Sequence, residues 1–237
     1  MLSAAQALEA LLDKRRSQGL LRTLRSDNHL IDFCSNDYLG FARNPKLEER
    51  ARNLLEGEIF RLNGSTGSRL IRGNTTYVED LEKRIAGLHS AEAALLFNSG
   101  YDANIGLFAS VPQRADTVLY DRAIHASIRD GIRLSGARSF RFEHNAPDDL
   151  RRLHPRVSGN VFVAVESVYS MDGDLAPLNE IMEVCREFGW NLMVDEAHAI
   201  GVFGEHGAGL VNKEMAVECF ARIYTYGKAM GAHGAAV

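Results

Sequence analysis

Two kinds of hydrophobic pattern alternate along the chain. In the first, apolar residues recur at intervals of three and four with polar ones between, as in a helix that buries one face. Leu8, Leu11 and Leu12 begin such a stripe, and Gly19 marks its expected end. Tyr77, Leu81, Ile85 and Leu88 form a second, and Leu178, Ile181, Met182, Cys185 and Phe188 a third. In the second pattern apolar residues run together: ALLF (94–97), TVLY (117–120), SFRF (139–142), VFVAV (161–165), NLMV (191–194) and RIYTY (222–226). These runs are short, rich in β-branched and aromatic residues, and largely without polar alternation. Strands of that kind are buried on both faces, as in a mainly parallel sheet covered by helices. The alternation of the two patterns predicts an α/β fold. No repeat, low-complexity tract or proline-rich linker interrupts it. The expected division is an N-terminal helix and lead-in segment, 1–35, followed by one large domain, 36–237.

Composition narrows the choice of function. The 237 residues are 46% hydrophobic and 24% charged, an ordinary soluble globular balance with ample material for a core. A net charge of -4 gives no footprint for a polyanion, so no nucleic-acid partner is expected. Lys14-Arg15-Arg16 and Arg151-Arg152 are short runs that read as solvated helix faces. Cys34, Cys185 and Cys219 are widely spaced, without a C-x-x-C, which argues against disulfides and a metal site and for a reducing cytosol. No apolar run reaches the roughly 18 residues of a membrane span. The opening residues, which include Glu9 and Asp13, lack the layout of a signal peptide. A cytoplasmic protein without a membrane partner is the expectation.

In parallel α/β sheets, functional groups collect just beyond the carboxyl ends of the strands. Here the first run ends at Asn98-Ser99-Gly100-Tyr101, and TVLY at Asp121 with His125 shortly after. VFVAV ends at Glu166 with Ser170 following, NLMV at Asp195 and His198, and RIYTY at Gly227-Lys228. One strand-end polar residue is more often a helix cap than a catalyst. Strand end after strand end supplying an acid, an imidazole, a hydroxyl or an amine points to a cofactor site.

Asp195-Glu196-Ala197-His198 spells the magnesium-binding strand of a helicase motor. A motor also needs the phosphate loop G-x-x-x-x-G-K-[ST] upstream. The one Gly-Lys candidate, Gly227-Lys228-Ala229, lies downstream, has Arg222 where the first glycine belongs, and lacks the hydroxyl. The glycine-rich stretch Gly64-Ser65-Thr66-Gly67-Ser68, with Gly73 beyond it, likewise lacks the G-x-G-x-x-G of a dinucleotide fold and follows no clear strand.

Lys228 stands 33 residues beyond Asp195 (228 − 195), with His125 and Ser170 upstream. With the segments SNDYLGF (35–41), GSTGSRLIRGN (64–74), FNSGYDAN (97–104), DRAIHAS (121–127), ESVYSMDGDLAPL (166–178), VDEAHAIGVFGEHGAG (194–209) and TYGKAMGAHGAAV (225–237), the chain resembles the α-oxoamine synthases. These are fold-type I pyridoxal-phosphate enzymes that join an amino acid to an acyl thioester with loss of carbon dioxide. The resemblance covers nearly the whole chain. It implies pyridoxal 5'-phosphate as cofactor, an amino acid and an acyl-CoA as substrates, and a homodimer. The substrates implied are L-alanine and a pimeloyl thioester, with glycine plus acetyl-CoA, serine plus a long-chain acyl-CoA, or a non-catalytic cofactor-binding fragment as alternatives.

Site roles follow in the same way. Lys228 would bond covalently to the cofactor aldehyde and then act as base at the α-proton. Asp195 would keep the pyridine nitrogen protonated; at about 4 Å and an effective dielectric of about 20 that pair is worth roughly 4 kcal/mol. His125 resembles the histidine stacked on the ring, and His198 and Ser170 the groups near its phenolic oxygen. Gly100 and Tyr101 open a helix whose free amides suit a phosphate, with Thr225 as an added donor. Asn36 resembles a residue near the substrate carboxylate, and Arg22 one that meets the distal carboxylate of the acyl chain. Glu166 belongs near the site without a role assigned by the resemblance. Many relatives have a histidine where this chain has Val78. The resemblance also implies a C-terminal small domain, absent from a chain that ends at Val237, carrying an arginine for the substrate carboxylate.

Overall fold

A computed structural model describes residues 3–24, 30–56 and 64–237. The chain divides into two compact units, Met1–Cys34 and Ser35–Val237.

The first unit holds helix α1 (Ala4–Ser17). Ser3 and Gln6 close a capping box at its start. Its end is a Schellman turn: Gly19, at φ 67°, donates to Arg16, and Leu20 to Arg15. The expected stop at Gly19 is thus observed. The apolar stripe is present, yet Leu8, Leu11 and Leu12 remain 62%, 58% and 48% exposed.

In the second unit, α2 (Pro45–Glu56), α3 (Thr76–Leu88), α4 (Gly100–Ser110), α5 (Ala126–Ser135), α6 (Pro147–Arg152), α7 (Leu178–Phe188) and α8 (Lys213–Ala216) accompany a seven-stranded sheet among the described residues. Its strands are β1 (Leu96–Phe97), β2 (Thr117–Asp121), β3 (Arg138–Phe142), β4 (Val161–Glu166), β5 (Asn191–Asp195), β6 (Cys219–Thr225) and β7 (Ala235–Ala236), in the order β1-β7-β6-β5-β4-β2-β3. From β3 to β6 every pairing is parallel, while β7 runs antiparallel to both its neighbours. The mainly parallel sheet and its helices match the expected α/β fold.

β4 shows why the central strands carry no polar alternation: all six of its residues are buried. Val161, Val163 and Val165 join Leu119, Leu192 and Val194 against Ile181, Met182 and Cys185 of α7. Phe162 and Ala164 point the other way, with Val118, Met193 and Ile223 against Phe108 of α4 and Ile128 and Ile132 of α5. Helices α4 and α5 approach so closely at Gly131 that an added Cβ would lie 2.8 Å from Phe108 Cβ and 3.0 Å from the Asn104 carbonyl.

One helical face differs from the expectation. In α3 the predicted stripe leaves Tyr77 46% and Leu88 52% exposed, whereas Glu82 and Ala86, and His89 at the C-cap, are buried. The face turns because Glu82 is satisfied where it is buried: Arg69 pairs with its carboxylate, which also accepts the Leu96 N–H at 2.8 Å. A carboxylate anchored in this way overrides a hydrophobic count.

Candidate active site

The parallel strands β2, β4, β5 and β6 all end on one edge, and a cavity of about 140 Å³ opens there. Gly100, Tyr101, Asn104, His125, Ser127, Glu166, Asp195, Ala197, His198, Thr225 and Lys228 line it. Most of these are residues the strand ends promised, so the sheet brings together Gly100, Tyr101, His125, Asp195, His198, Thr225 and Lys228. Ser170 is exposed and does not line this cavity. Asn36 is exposed and reaches the cavity through one intermediary described below. Arg22 is an exposed residue of the first unit.

Asp195 closes β5 and is 4% exposed. Its Oδ1 accepts the Ala197 N–H at 2.9 Å and its Oδ2 accepts from Asn104 Nδ2 at 2.8 Å. The same Asn104 amide donates to Ser127 Oγ at 3.0 Å, and Ser127 Oγ lies 2.6 Å from His125 Nδ1. Ser127's backbone N–H also points at that nitrogen, 3.3 Å away, so Nδ1 is an acceptor and the neutral ring carries its proton on Nε2. Burial pushes the His125 pKa down, with Lys228 and Arg129 adding to the fall and Asp195 opposing it. His125 also caps α5.

Lys228 follows β6. Burial lowers its pKa, while Asp195 and Glu166 oppose the fall. Its Nζ is 2.6 Å from His198 Nε2. Burial, then the neighbouring ammonium of Lys228, hold the His198 pKa down at about 4. Glu166 ends β4 beside Asp195 in register and is 2% exposed. Burial, reinforced by the Asp195 charge, raises its pKa to about 8. Burial thus favours the uncharged forms of His125, His198 and Glu166 around this cavity.

At the other side, Ser99 caps α4 by accepting the Asp102 N–H at 3.1 Å. A Cβ added to Gly100 would lie 3.2 Å from Thr225 Cβ, which places the first turn of α4 directly against that threonine. The Tyr101 side chain turns outward to Asp130, 2.8 Å away, so Tyr101 offers the cavity its backbone.

The remaining letters of the motor-like motif have a structural part. Glu196 is fully buried, and its Oε2 accepts the Val211 N–H at 3.3 Å. Gly209, at φ 107°, passes so close that a Cβ there would lie 1.7 Å from the same oxygen. Asp121 is structural as well. Its carboxylate accepts the Ala123 and Asn145 N–H groups at 2.8 and 2.9 Å and meets His144 Nδ1 at 2.8 Å. Tyr38, Asn104 and Ser127 escaped the strand-end reading. Asn104 could have been found, since it lies one helical turn from Gly100 and so faces the same way.

The family model described as aminotransferase class I and II matches residues 28–237. The chain belongs to that family. Among curated members, it is 45% identical over 225 residues to an 8-amino-7-oxononanoate synthase of Emericella nidulans, covering 87% of this chain and 54% of that one. A synthase of the same name from Geobacter sulfurreducens is 41% identical over 241 residues, covering 95% and 61%. The chain thus spans just over half of these class I and II relatives. Among solved structures, a serine palmitoyltransferase from S. paucimobilis with bound PLP and myriocin superposes with a TM-score of 0.82 at 27% identity, covering 97% of this chain and 63% of that one. An 8-amino-7-oxononanoate synthase from Francisella tularensis gives 0.72 at 29% identity, covering 89% and 58%. These matches bear out the resemblance to the α-oxoamine synthases read from the motifs. Among the described residues, no helix is long and apolar enough to cross a membrane.

Proposed function

We propose that this chain carries the pyridoxal-phosphate site of an α-oxoamine synthase, and that the whole protein condenses L-alanine with a pimeloyl thioester to give 8-amino-7-oxononanoate. One observation supports the reading above all. His125, Lys228 and the neighbouring pair Asp195 and His198, drawn from three separate stretches of the sequence, line one cavity at the strand ends, beside a helix start and a threonine hydroxyl.

The donor set fits the cofactor. Lys228 offers a half-buried amine, Asp195 a buried carboxylate, and His125 a flat neutral ring. The first-turn amides of α4 beside Thr225 suit a phosphate dianion. Bound there, pyridoxal phosphate supplies an aldehyde for the amine and a ring that draws electrons from bonds breaking at the substrate α-carbon.

The protein's own part is to hold protons in the right places. The partial burial of Lys228 increases the share of free amine, the form that attacks a carbonyl and later removes the α-proton. Asp195, gripped by Asn104 and the Ala197 amide, is held in a fixed direction from which it would keep a proton on the ring nitrogen of the bound cofactor. Ser127 and Asn104 couple its position to that of His125. Asn36 receives the α-carboxylate and Arg22 the distal carboxylate of the acyl chain. Ser170 is assigned to the phenolic oxygen with His198. The domain boundary near residue 35, read from the pattern along the chain, and a homodimeric assembly, implied by the family resemblance, belong to the same proposal.

The names of the solved relatives raise serine plus a long-chain acyl donor as the second reading. The higher identity to the curated synthases, 45% against 27%, favours the first. Assays of the whole protein with pimeloyl-CoA plus alanine and with palmitoyl-CoA plus serine separate them: the proposal expects turnover only in the first pair, and turnover only in the second overturns it.

A further inference from the structure

Beyond the cavity wall lies a line of hydrogen bonds that no role yet accounts for. Lys228 Nζ meets His198 Nε2 at 2.6 Å, and His198 Nδ1 meets the Tyr38 hydroxyl at 2.7 Å. Tyr38 in turn donates to Asn36 Oδ1 at 3.1 Å. The phenol belongs to the segment before α2, far from His198 in sequence.

The last acceptor settles the direction of the whole line. A carbonyl oxygen only accepts, so the Tyr38 hydrogen points at Asn36. The Tyr38 oxygen is then free to accept, and His198 supplies the hydrogen from Nδ1. A neutral imidazole with its proton on Nδ1 has a lone pair on Nε2, and that lone pair faces Lys228. Each donor thus meets one acceptor, and reversing the Tyr38 hydroxyl would set its lone pairs against Asn36 Oδ1 and its hydrogen against the His198 Nδ1 hydrogen. Other charged and titratable groups near His198 are His125, Asp195 and Glu166 around the cavity.

We propose that Tyr38 is a positioning residue for the amine chemistry: it locks His198 into the Nδ1–H tautomer, so that Nε2 is a standing acceptor for a proton from Lys228. The inference deepens the function proposed above and rests on Lys228 being the reacting amine. When Lys228 is an ammonium, the proton can pass from Nζ to Nε2. The lysine is left with a lone pair and His198 becomes an imidazolium still donating from Nδ1 to Tyr38. No other atom changes its bonding. The low basicity of His198 makes that state short-lived, so the site returns the proton instead of storing it. Tyr38 is 48% exposed, so loss of its hydroxyl removes the lock without opening a cavity in the core.

Tyr38→Phe tests this in the intact chain with two readouts. The first is the nitrogen NMR spectrum of histidine-labelled protein, with His198 assigned through His198→Gln. The unsubstituted chain should show His198 protonated on Nδ1 and bare on Nε2 near neutral pH, and Tyr38→Phe should move the proton wholly or partly to Nε2. The second, with pyridoxal phosphate and L-alanine in deuterium oxide, is exchange of the alanine α-hydrogen. It should slow about tenfold or more in Tyr38→Phe, with the loss in the saturated rate and not in the alanine concentration needed for half of it. Unchanged His198 signals, or exchange at the original rate, overturn the proposal. Failure of the functional reading looks different: the unsubstituted chain then forms no reducible adduct on Lys228, and the NMR readout, which needs no cofactor, still decides the part played by Tyr38.

Discussion

Asp195 and Glu166 end adjacent strands with carboxyl groups of opposite use. Asp195 accepts an amide N–H and an asparagine N–H. Glu166 Oε1 is buried without a partner, and its pKa rises to about 8 through burial and the Asp195 charge. Two predictions follow from this division. Asp195→Asn keeps the shape but removes the charge, so turnover of the whole protein should fall by roughly three orders of magnitude for a pair worth about 4 kcal/mol. Steady-state rates checking this should show near-normal turnover only if Asp195 has no charged part in the reaction. The second concerns pH. A carboxyl whose pKa is raised on folding stabilises the protein below its unfolded pKa, near 4.5, and that stability is lost as pH rises to about 8. Over that window the loss is at most about 1.4 kcal/mol per pH unit. His198 and His89, both lowered to about 4, act in the opposite sense up to their ordinary value of 6.5, so the range from there to about 8 is the clearest. Denaturant titrations of Glu166→Gln should lack the slope that the unsubstituted chain shows; identical slopes would mean that Glu166 is ionised in the fold.

The central elements were legible because burial on both faces leaves an unmistakable run of apolar residues, and β2, β4, β5 and β6 fall where those runs lie, whereas β3 also falls at its run but is an edge strand with only Phe142 buried. Elements whose stability comes from context were not. β7 is two alanines held by pairing on both sides, which no composition announces. Helix α2 begins on Asn44, whose Oδ1 accepts the Lys46 N–H at 3.0 Å, but Leu54 and Leu55 remain exposed and provide no buried face. The face of α3 was misjudged because ion pairing at Glu82 outweighs the leucine count. The site followed the same rule: residues on strand ends were readable, while Asn104, Ser127 and Tyr38 act through tertiary contacts. The α4–α5 contact that places Asn104 against Ser127 depends on Gly131. Gly131→Val should force a shift there, costing about 1–3 kcal/mol by overpacking. It should also weaken cofactor binding, since Asn104 would move from Asp195. Thermal melts and cofactor titration check both effects; a variant as stable as the parent would show that the helices are free to separate.

The whole molecule sets the limits on substrate. This chain covers 54% and 61% of the two curated synthases described above, so substrate selection is a question for the whole protein. Arg22 is its test. A carboxylate-ended acyl chain needs a cation at its far end, because an unpaired charge in an apolar channel is costly. Arg22→Ala in the whole protein should raise KM for pimeloyl-CoA about tenfold, a loss of roughly 1.4 kcal/mol, and leave uncharged acyl-CoAs unaffected. Equal effects on both donors would remove Arg22 as the selector. Everything above depends on one amine being the point of attachment. The most direct measurement is borohydride reduction of the chain with pyridoxal phosphate, followed by peptide mapping by mass spectrometry. One adduct per chain on Lys228, lost in Lys228→Ala with the sheet intact by circular dichroism, is the predicted result; an adduct on another lysine, or one that survives in Lys228→Ala, would contradict it.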